Sequence, residues 1–594
     1  MNIYPSIPLA QTVVRLCEAA RIERIVICAG SRNAPLTNGF VSFPFFKTYS
    51  VVDERAAAFF ALGMAQQLHQ PVALVCTSGS ALLNFYPAIA EAFYSDIPLV
   101  VLSADRMPHR IDIGDGQTIR QTGVFEPHLE TAADLKPDVT HATATLLENP
   151  MQELLPINAS PDQIEQVQKA NQNHNVKEII RVLEVAIQQE GPVHLNIPLE
   201  EPLYETTSKA LSLATVNTKK QHAMCSITTL KSFSKKWHLS KKKWVILGVM
   251  KPNHIDQQWI DALCQDPSVI VFTETTSNIN HHNAIASIDT LMAPLEVLEE
   301  KYSSTLQPET LLTMGGMVVS KKIKTFLRKY RPKHHWHIDL KKAYNTYYAL
   351  DEHIKTTPEQ FLKIVYAEQN NTKSIFQSSI HEYYSQFKAI GQEFLKKISF
   401  SDLKVFEILS KQLPSGVDLQ LANSSSIRYA QLFSWPENTR VFCNRGTSGI
   451  DGSTATAVGA SQVSQRPTIL ITGDLSFFYD INGLWNNYLS KDFKIIMINN
   501  GGGGIFRILP GEKDSPKYDT YFETVHQKDA RHIAKNFGLK YHRVKSLRSL
   551  KRKLPRFFRS SGKPALLEIQ TPRKLNDEVL LNYFKTMASK SIFS

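Results

Sequence analysis

Short, almost uninterrupted apolar runs recur along this chain at intervals long enough to hold a helix between them. Residues 25–29, 72–76 and 99–104 are the first three. A strand covered on both faces by crossover helices has this character, whereas a half-exposed strand alternates apolar and polar side chains. The pattern predicts an α/β chain of open parallel sheets. Each run ends in small or polar residues: Gly30-Ser31-Arg32 after the first, Thr77-Ser78-Gly79-Ser80 after the second, Asp105-Arg106 after the third. Open α/β sheets bind ligands at these carboxyl ends.

The 594 residues correspond to three to four domains at about 150 residues each. Between 204 and 243 the chain turns rich in Ser, Thr and Lys, as a connection between domains does. Three α/β blocks are expected, at 1–203, 204–398 and 399–594. In the second, strands are predicted at 244–249, 269–273, 311–314 and 336–340, with a helix over 380–398. In the third they are predicted at 440–443, 468–472, 494–499 and 565–569. The first and third blocks share strands that end in Gly-rich or charged turns and are read as two halves of one site.

An apolar content of 43% with 21% charged residues excludes a disordered chain or a fibre. No apolar run approaches the roughly 20 residues of a membrane-spanning helix. The N-terminus carries no secretory pattern, so a cytoplasmic protein is expected. The six cysteines lie far apart with no C-x-x-C pair, which suggests neither zinc nor a disulfide framework. The net charge of +12 is concentrated in residues 540–574, which hold twelve Lys and Arg against one acid, Glu568. No aromatic residues interleave these charges in a nucleic-acid motif, and no nucleic-acid partner is expected. Leu547, Leu550 and Leu554 recur there at helical spacing, consistent with a solvated amphipathic helix or a weak membrane-surface contact.

The sharpest motif is Gly473-Asp474-Leu475-Ser476 at the end of a predicted strand, followed 26 residues after Asp474 by Asn500 in Asn499-Asn500-Gly501-Gly502. Taken singly, each is also an ordinary turn. Together, a carboxylate on Asp474, an amide oxygen on Asn500 and a backbone carbonyl on Gly502 supply three of about six oxygens that Mg2+ requires, leaving places for a diphosphate. The glycines permit close backbone approach to phosphate oxygens.

This ordered pair resembles the metal and diphosphate motif of thiamine-diphosphate enzymes. Three further stretches, Ser31-Arg32-Asn33-Ala34-Pro35-Leu36, Ser103-Ala104-Asp105-Arg106 running to Gln117-Thr118-Ile119-Arg120-Gln121, and Asn444-Arg445-Gly446-Thr447-Ser448-Gly449-Ile450-Asp451-Gly452, resemble one family within them. That family is the 2-succinyl-5-enolpyruvyl-6-hydroxy-3-cyclohexene-1-carboxylate synthases of menaquinone biosynthesis. The resemblance spans nearly the whole chain in order and is weakest between 204 and 398. It implies three α/β domains, with thiamine diphosphate and Mg2+ (or Mn2+) bound between the first domain of one subunit and the third of another, hence a homodimer or homotetramer. It implies that 2-oxoglutarate is decarboxylated and its remaining four carbons are added to isochorismate.

By the same resemblance, Glu54 is the acid–base partner of the cofactor's aminopyrimidine and requires a semi-buried site. Ile450 wedges the cofactor into its bent form, Ile505, Phe506 and Leu509 line its pocket, and Gly473 and Ser476 meet the diphosphate. Asp474, Asn500 and Gly502 hold the metal. Ser424, Arg428 and Arg445 hold the oxoglutarate-derived part, and Ser31, Arg32, Arg106 and Gln117 hold isochorismate. Two departures stand out. Lys321-Lys322 occupies the place of a middle-domain Lys-Arg pair, and Lys does not offer the bidentate fork of Arg. Ala29 replaces a Pro before Gly30, which bears on turn rigidity. Another thiamine-diphosphate carboligase or 2-oxoacid decarboxylase is the near rival; a noncatalytic cofactor-binding or nucleic-acid-binding protein is the distant one.

Overall fold

The computed structural model describes residues 3–142, 159–211, 215–220, 223–298, 303–367, 373–508, 513, 515–559 and 562–590. It separates into two compact units. One comprises Met1–Gln221 with Gly446–Gln465 and Tyr479–Ser490, the other His222–Arg445 with Arg466–Phe478 and Lys491–Ser594. Two segments of the third sequence block therefore pack with the first.

The first unit is built on a six-stranded parallel sheet. Its strands are β2 (Arg24–Ile27), β3 (Lys47–Ser50), β4 (Val72–Cys76), β5 (Leu99–Asp105), β6 (Thr131–Asp134) and β7 (Val193–Pro198), in the order β3-β2-β4-β5-β7-β6. A short antiparallel pair, β1 (Tyr4–Pro5) with β8 (Thr206–Thr207), joins the ends of the segment. β4 and β5 are buried at every position, as their largely apolar sequences require, and so is β7, which buries His194 and Asn196 among its apolar residues. The helix Glu54–Leu68 begins at Asp53, whose carboxylate accepts the Ala56 N–H at 2.9 Å. It lies against the helix Ser453–Ser461 at a crossing that only glycine permits. A Cβ on Gly63 would sit 2.0 Å from the Thr456 carbonyl oxygen, and one on Gly459 would sit 1.9 Å from that of Phe60.

The second unit carries two more parallel sheets. One contains β9 (Lys243–Leu247), β10 (Val269–Thr273), β11 (Ala284–Ile285), β12 (Thr310–Met314), β13 (His334–Ile338) and β14 (Glu352–Ile354), in the order β11-β10-β9-β12-β13-β14. The other contains β15 (Asp418–Leu421), β16 (Arg440–Phe442), β17 (Thr468–Gly473), β18 (Lys494–Asn499), β19 (Lys540–Val544) and β20 (Ala565–Gln570), in the order β16-β15-β17-β18-β20-β19. One apolar core, from Trp244 through Leu403 to Met587, is continuous across both sheets. The basic segment forms the helix Leu547–Phe558, opened by a capping box on Ser546. Its apolar side, Leu550, Leu554 and Phe557, is buried in that core, while Arg548, Lys551, Arg552 and Arg556 are exposed. No helix among the described residues is long and apolar enough to cross a membrane. Five of the six cysteines are buried and all six are free thiols.

Four buried carboxyls shape the pH dependence of stability. Burial is the largest influence on each, pushing Asp105 and Asp402 up to about 6 and Glu274 and Asp480 up to about 7. These folded-state values lie above the unfolded ones near 4. The folded chain thus keeps protons that the unfolded chain releases, and the stabilisation present below pH about 4 is lost as pH rises through about 6 to 7. The melting temperature is expected to fall across that window. Asp480→Asn keeps an oxygen to accept the Ala455 N–H at 2.8 Å and is expected to flatten the fall; an unchanged slope would remove Asp480 from this role.

Candidate active site

In the first unit, predicted residues follow the carboxyl ends of β2, β3 and β5. Glu54 is half-buried in the first turn of its helix. It lies close enough to Cys28 and Cys76, at the ends of β2 and β4, to add to the effect of burial in raising both thiols well above their ordinary range. Beside them the Thr77 and Ser78 hydroxyls are buried, and neither has a hydrogen-bond partner among the described residues. Such groups invite a polar ligand.

Arg32 is 4% exposed and donates to the Leu199 carbonyl at 2.9 Å and to Glu201 at 3.3 Å. Burial lowers its guanidinium below the ordinary value, and the charge of Arg106 lowers it further. The Nε atoms of both arginines are buried without a partner among the described residues. Two neighbouring cations with unused donors suit a carboxylate. Ser31 and Gln117 are exposed. Gln117 has φ +57°, and its backbone lies 3.3 Å from where a Cβ on Gly79 would stand.

A buried polar network supports this rim. Gln121 accepts the Gly79 N–H at 2.9 Å and donates to Asn196 at 2.8 Å. Asn196 donates to Asp105 at 2.9 Å, and Asp105 accepts the Arg106 N–H at 2.7 Å. Ile450 is 37% exposed on the loop before Ser453–Ser461. That loop is tied down by the buried carboxylate of Glu91, which accepts the Gly446 N–H at 2.7 Å and the Thr447 N–H at 2.6 Å.

In the second unit, Asp474 and Asn500 follow the adjacent parallel strands β17 and β18. The Asp474 carboxylate accepts N–H groups of Leu475 (2.7 Å), Gly501 (2.8 Å) and Gly502 (3.1 Å), and His526 Nε2 lies 3.3 Å away. The Asn500 amide nitrogen donates to Asp402 at 2.9 Å, which turns the amide oxygen the other way. The Gly502 carbonyl accepts the Gly504 N–H at 3.0 Å and keeps its second lone pair. A Cβ on Gly473 would meet nothing within 4 Å, so open space adjoins this turn.

Among the described residues no three His, Cys, Asp or Glu side chains converge as a metal group. The donors here are instead one carboxylate, one amide oxygen and one backbone carbonyl. That all-oxygen set, beside open space at a glycine, fits Mg2+ or Mn2+ carrying a diphosphate. Ser476 is buried, Ile505 is half-buried and Phe506 is 38% exposed on the turn Ile505–Ile508. Leu509 lies outside the described residues.

Ser424, at φ +65°, lies beyond β15 at the start of the helix Ser425–Ala430, on which Arg428 stands half-buried. Arg445 follows β16 and donates to Asn423 Oδ1 at 2.7 Å, while Asn423 donates to the Asn444 carbonyl at 2.7 Å. Burial lowers the Arg428 guanidinium; Asp289 opposes this and Arg445 adds to it. Of the two middle-domain lysines, Lys321 is exposed and Lys322 is paired with Glu296. Lys324, on the same helix Lys321–Lys329, is half-buried; burial lowers its pKa, Glu274 opposes this, and Arg445 and Arg428 add to the lowering. Asp402, Glu91 and Asn423 escaped sequence reasoning, because each acts on a partner that only the fold brings close.

Three family models match the chain. They are the N-terminal TPP binding domain of thiamine pyrophosphate enzymes at residues 7–131, the middle domain of thiamine pyrophosphate enzymes at 214–421, and the C-terminal TPP binding domain at 423–569. Among curated relatives, a 2-succinyl-5-enolpyruvyl-6-hydroxy-3-cyclohexene-1-carboxylate synthase of Christiangramia forsetii is 48% identical over 99% of this chain and 100% of its own length. The synthase of Flavobacterium johnsoniae is 47% identical over 98% and 100%. That of Porphyromonas gingivalis is 35% identical over 97% and 96%.

Proposed function

The chain belongs to the family of 2-succinyl-5-enolpyruvyl-6-hydroxy-3-cyclohexene-1-carboxylate synthases, and from that premise we propose how its residues perform the family's reaction. 2-Oxoglutarate loses carbon dioxide, and its remaining four carbons add to the activated double bond of isochorismate, in menaquinone biosynthesis. Thiamine diphosphate, when bound with Mg2+ or Mn2+, supplies the nucleophilic carbon and the electron sink that both bond changes need.

Glu54 exchanges a proton with a pyrimidine ring nitrogen of the cofactor, and the unpartnered Thr77 and Ser78 hydroxyls beside it are available to the same ring. Ile450 would pack against the bound cofactor, while Ile505, Phe506 and Leu509 would exclude water from it. Gly473 and Ser476 meet the diphosphate, and Asp474, Asn500 and Gly502 hold the metal. Ser424, Arg428 and Arg445 bind the 2-oxo acid, and Ser31, Arg32, Arg106 and Gln117 bind isochorismate. The observation that carries this reading is the set of four arginines at the carboxyl ends of β2, β5, β15 and β16, or on the helix that follows, since both substrates bring two carboxylates out of water.

A cytoplasmic homodimer or homotetramer follows from the family pattern, with sedimentation at two or four times 67.0 kDa. Contact of the basic helix with an anionic membrane surface would rest on charge alone.

Asp402 acts here as a positioning residue for the metal. Because its carboxylate only accepts hydrogen bonds, it compels the Asn500 amide to present nitrogen to it and oxygen away from it. Asp402→Asn is expected to weaken Mn2+ binding about tenfold, measured by titration in the presence of thiamine diphosphate. Unchanged binding would show that Asn500 is oriented by something else.

The reading as a whole is tested with 2-oxoglutarate labelled in its C1 carboxyl. One labelled carbon dioxide is expected per isochorismate consumed. Carbon dioxide release without isochorismate consumption would instead indicate a 2-oxoacid decarboxylase.

A further inference from the structure

One edge of the third sheet is lined by cations with no acid among them. Residues 530–567 contain twelve Lys and Arg and no Asp or Glu. They form three consecutive elements within the second unit: the helix Arg531–Asn536, the edge strand β19 and the helix Leu547–Phe558, both helices packing against the strand. Of the twelve, only Arg543 and Lys553 are half-buried. Arg543 pairs with Asp529 at 3.5 Å, and Lys553 donates to the Arg543 carbonyl at 2.8 Å. The other ten are exposed.

The helix Leu547–Phe558 concentrates this charge. Arg548, Arg552 and Arg556 stand four residues apart with Lys551 between them, so they form one stripe along it. Like charges at this spacing work against a helix. This one is held instead by the burial of Leu550, Leu554 and Phe557 and by the capping box on Ser546. None of the four stripe cations makes an ion pair among the described residues. The acids of the adjoining elements are committed elsewhere. Glu568 on β20 is fully buried and accepts hydrogen bonds from Asn499, Ala530 and Tyr541. On the helix Asp402–Gln412, which packs against the basic helix, Asp402 accepts from Thr571 and Asn500, and Glu407 pairs with Lys404 and Lys411. The charge of the stripe is left to whatever lies outside the chain.

We propose that this edge is the surface by which the protein docks on an anionic membrane, held by the phosphates of lipid headgroups. Several Lys and Arg on one face of an amphipathic helix form the pattern that such a surface attracts. The apolar side of the helix already fills the core, so it has nothing to insert among acyl chains, and the contact is electrostatic and reversible by salt. A second copy of the same face does not fit, since a two-fold contact would set like charges against one another. Single-stranded nucleic acid does not fit either, because no exposed Phe, Tyr or Trp stands among the cations for a base to stack on. The choice of lipid over other polyanions rests also on the synthase reading, whose reaction sequence ends in a lipid-soluble quinone.

The test is co-sedimentation of the full chain with vesicles of phosphatidylcholine alone and of phosphatidylcholine containing about one-third phosphatidylglycerol, without substrates. Binding is expected only to the anionic vesicles at an ionic strength of about 0.05 M and is expected to vanish above about 0.5 M. The triple variant Arg548→Gln, Lys551→Gln, Arg552→Gln should bind about a hundredfold more weakly, as the loss of three surface-facing cations requires. Its circular dichroism and its activity in solution should match wild type. A control that removes the same charge elsewhere, Lys231→Gln, Lys235→Gln, Lys241→Gln, all exposed, should bind nearly as wild type does. No binding to anionic vesicles, equal binding to neutral ones, an equal loss in the control, or tighter binding to duplex DNA or RNA than to the vesicles would each overturn the proposal. Because the readout needs no turnover, vesicle binding by a protein that does not consume isochorismate would leave the surface standing and remove the synthase reading alone.

Discussion

Glu54→Gln is expected to lower the rate of isochorismate consumption by about two to four orders of magnitude, the range over which a positioned acid–base group acts. The substitution is nearly isosteric and sits in the first turn of a helix whose start is set by Asp53, not by Glu54 itself. The fold should therefore survive, with an unchanged circular dichroism spectrum. Thiamine diphosphate should still bind, because the metal and diphosphate contacts come from other residues. The loss should fall on kcat. A variant with kcat within tenfold of wild type would show that the proton is handled elsewhere.

Asp474→Ala is expected to be at least as damaging, by a different route. It removes one of three proposed metal ligands and also the acceptor for the Leu475, Gly501 and Gly502 N–H groups. Mn2+ affinity should fall about a hundredfold or more, and activity should be undetectable at metal concentrations that saturate wild type. Asp474→Asn keeps one oxygen for the Gly501 and Gly502 N–H groups but turns an NH2 toward the Leu475 N–H, and it loses the charge. It should retain part of the thermal stability that the Ala variant loses while still binding metal weakly. Wild-type metal affinity in Asp474→Asn would contradict the assignment.

The residues legible in the sequence are those whose surroundings are local. β4 and β18 were predicted at residues 72–76 and 494–499 and run over those same residues, because a parallel strand covered on both faces must be apolar throughout. β3, with the sequence Lys-Thr-Tyr-Ser, and β19, with Lys-Tyr-His-Arg-Val, went unpredicted. Both are sheet edges where only part of each side chain is covered, so burial leaves little trace in composition. Gly473-Asp474 and Asn500-Gly501 were conspicuous because strand ends that meet phosphate need glycine and oxygen donors side by side.

Asp402 and Glu91 gave no such signal. Asp402 meets Asn500 across about a hundred residues, and Glu91 meets Gly446 across more than three hundred, and nothing adjacent to either acid marks it as special. Lys324 was hidden differently. In Lys-Lys-Ile-Lys the first two lysines stand where the family pattern directs attention, but Lys321 is exposed and Lys322 is paired with Glu296, while the third is half-buried and lines a cavity at the ends of β9, β12 and β13.

Loss of isochorismate absorbance, followed with purified protein, 2-oxoglutarate, thiamine diphosphate and Mg2+, tests the synthase assignment most directly. Loss that requires all four components, releases one carbon dioxide per isochorismate and falls by at least a hundredfold in Glu54→Gln is the predicted result. Intact cofactor binding with no loss of isochorismate in the presence of 2-oxoglutarate would contradict it, and would reopen the roles of Arg32, Arg106, Arg428 and Arg445 together.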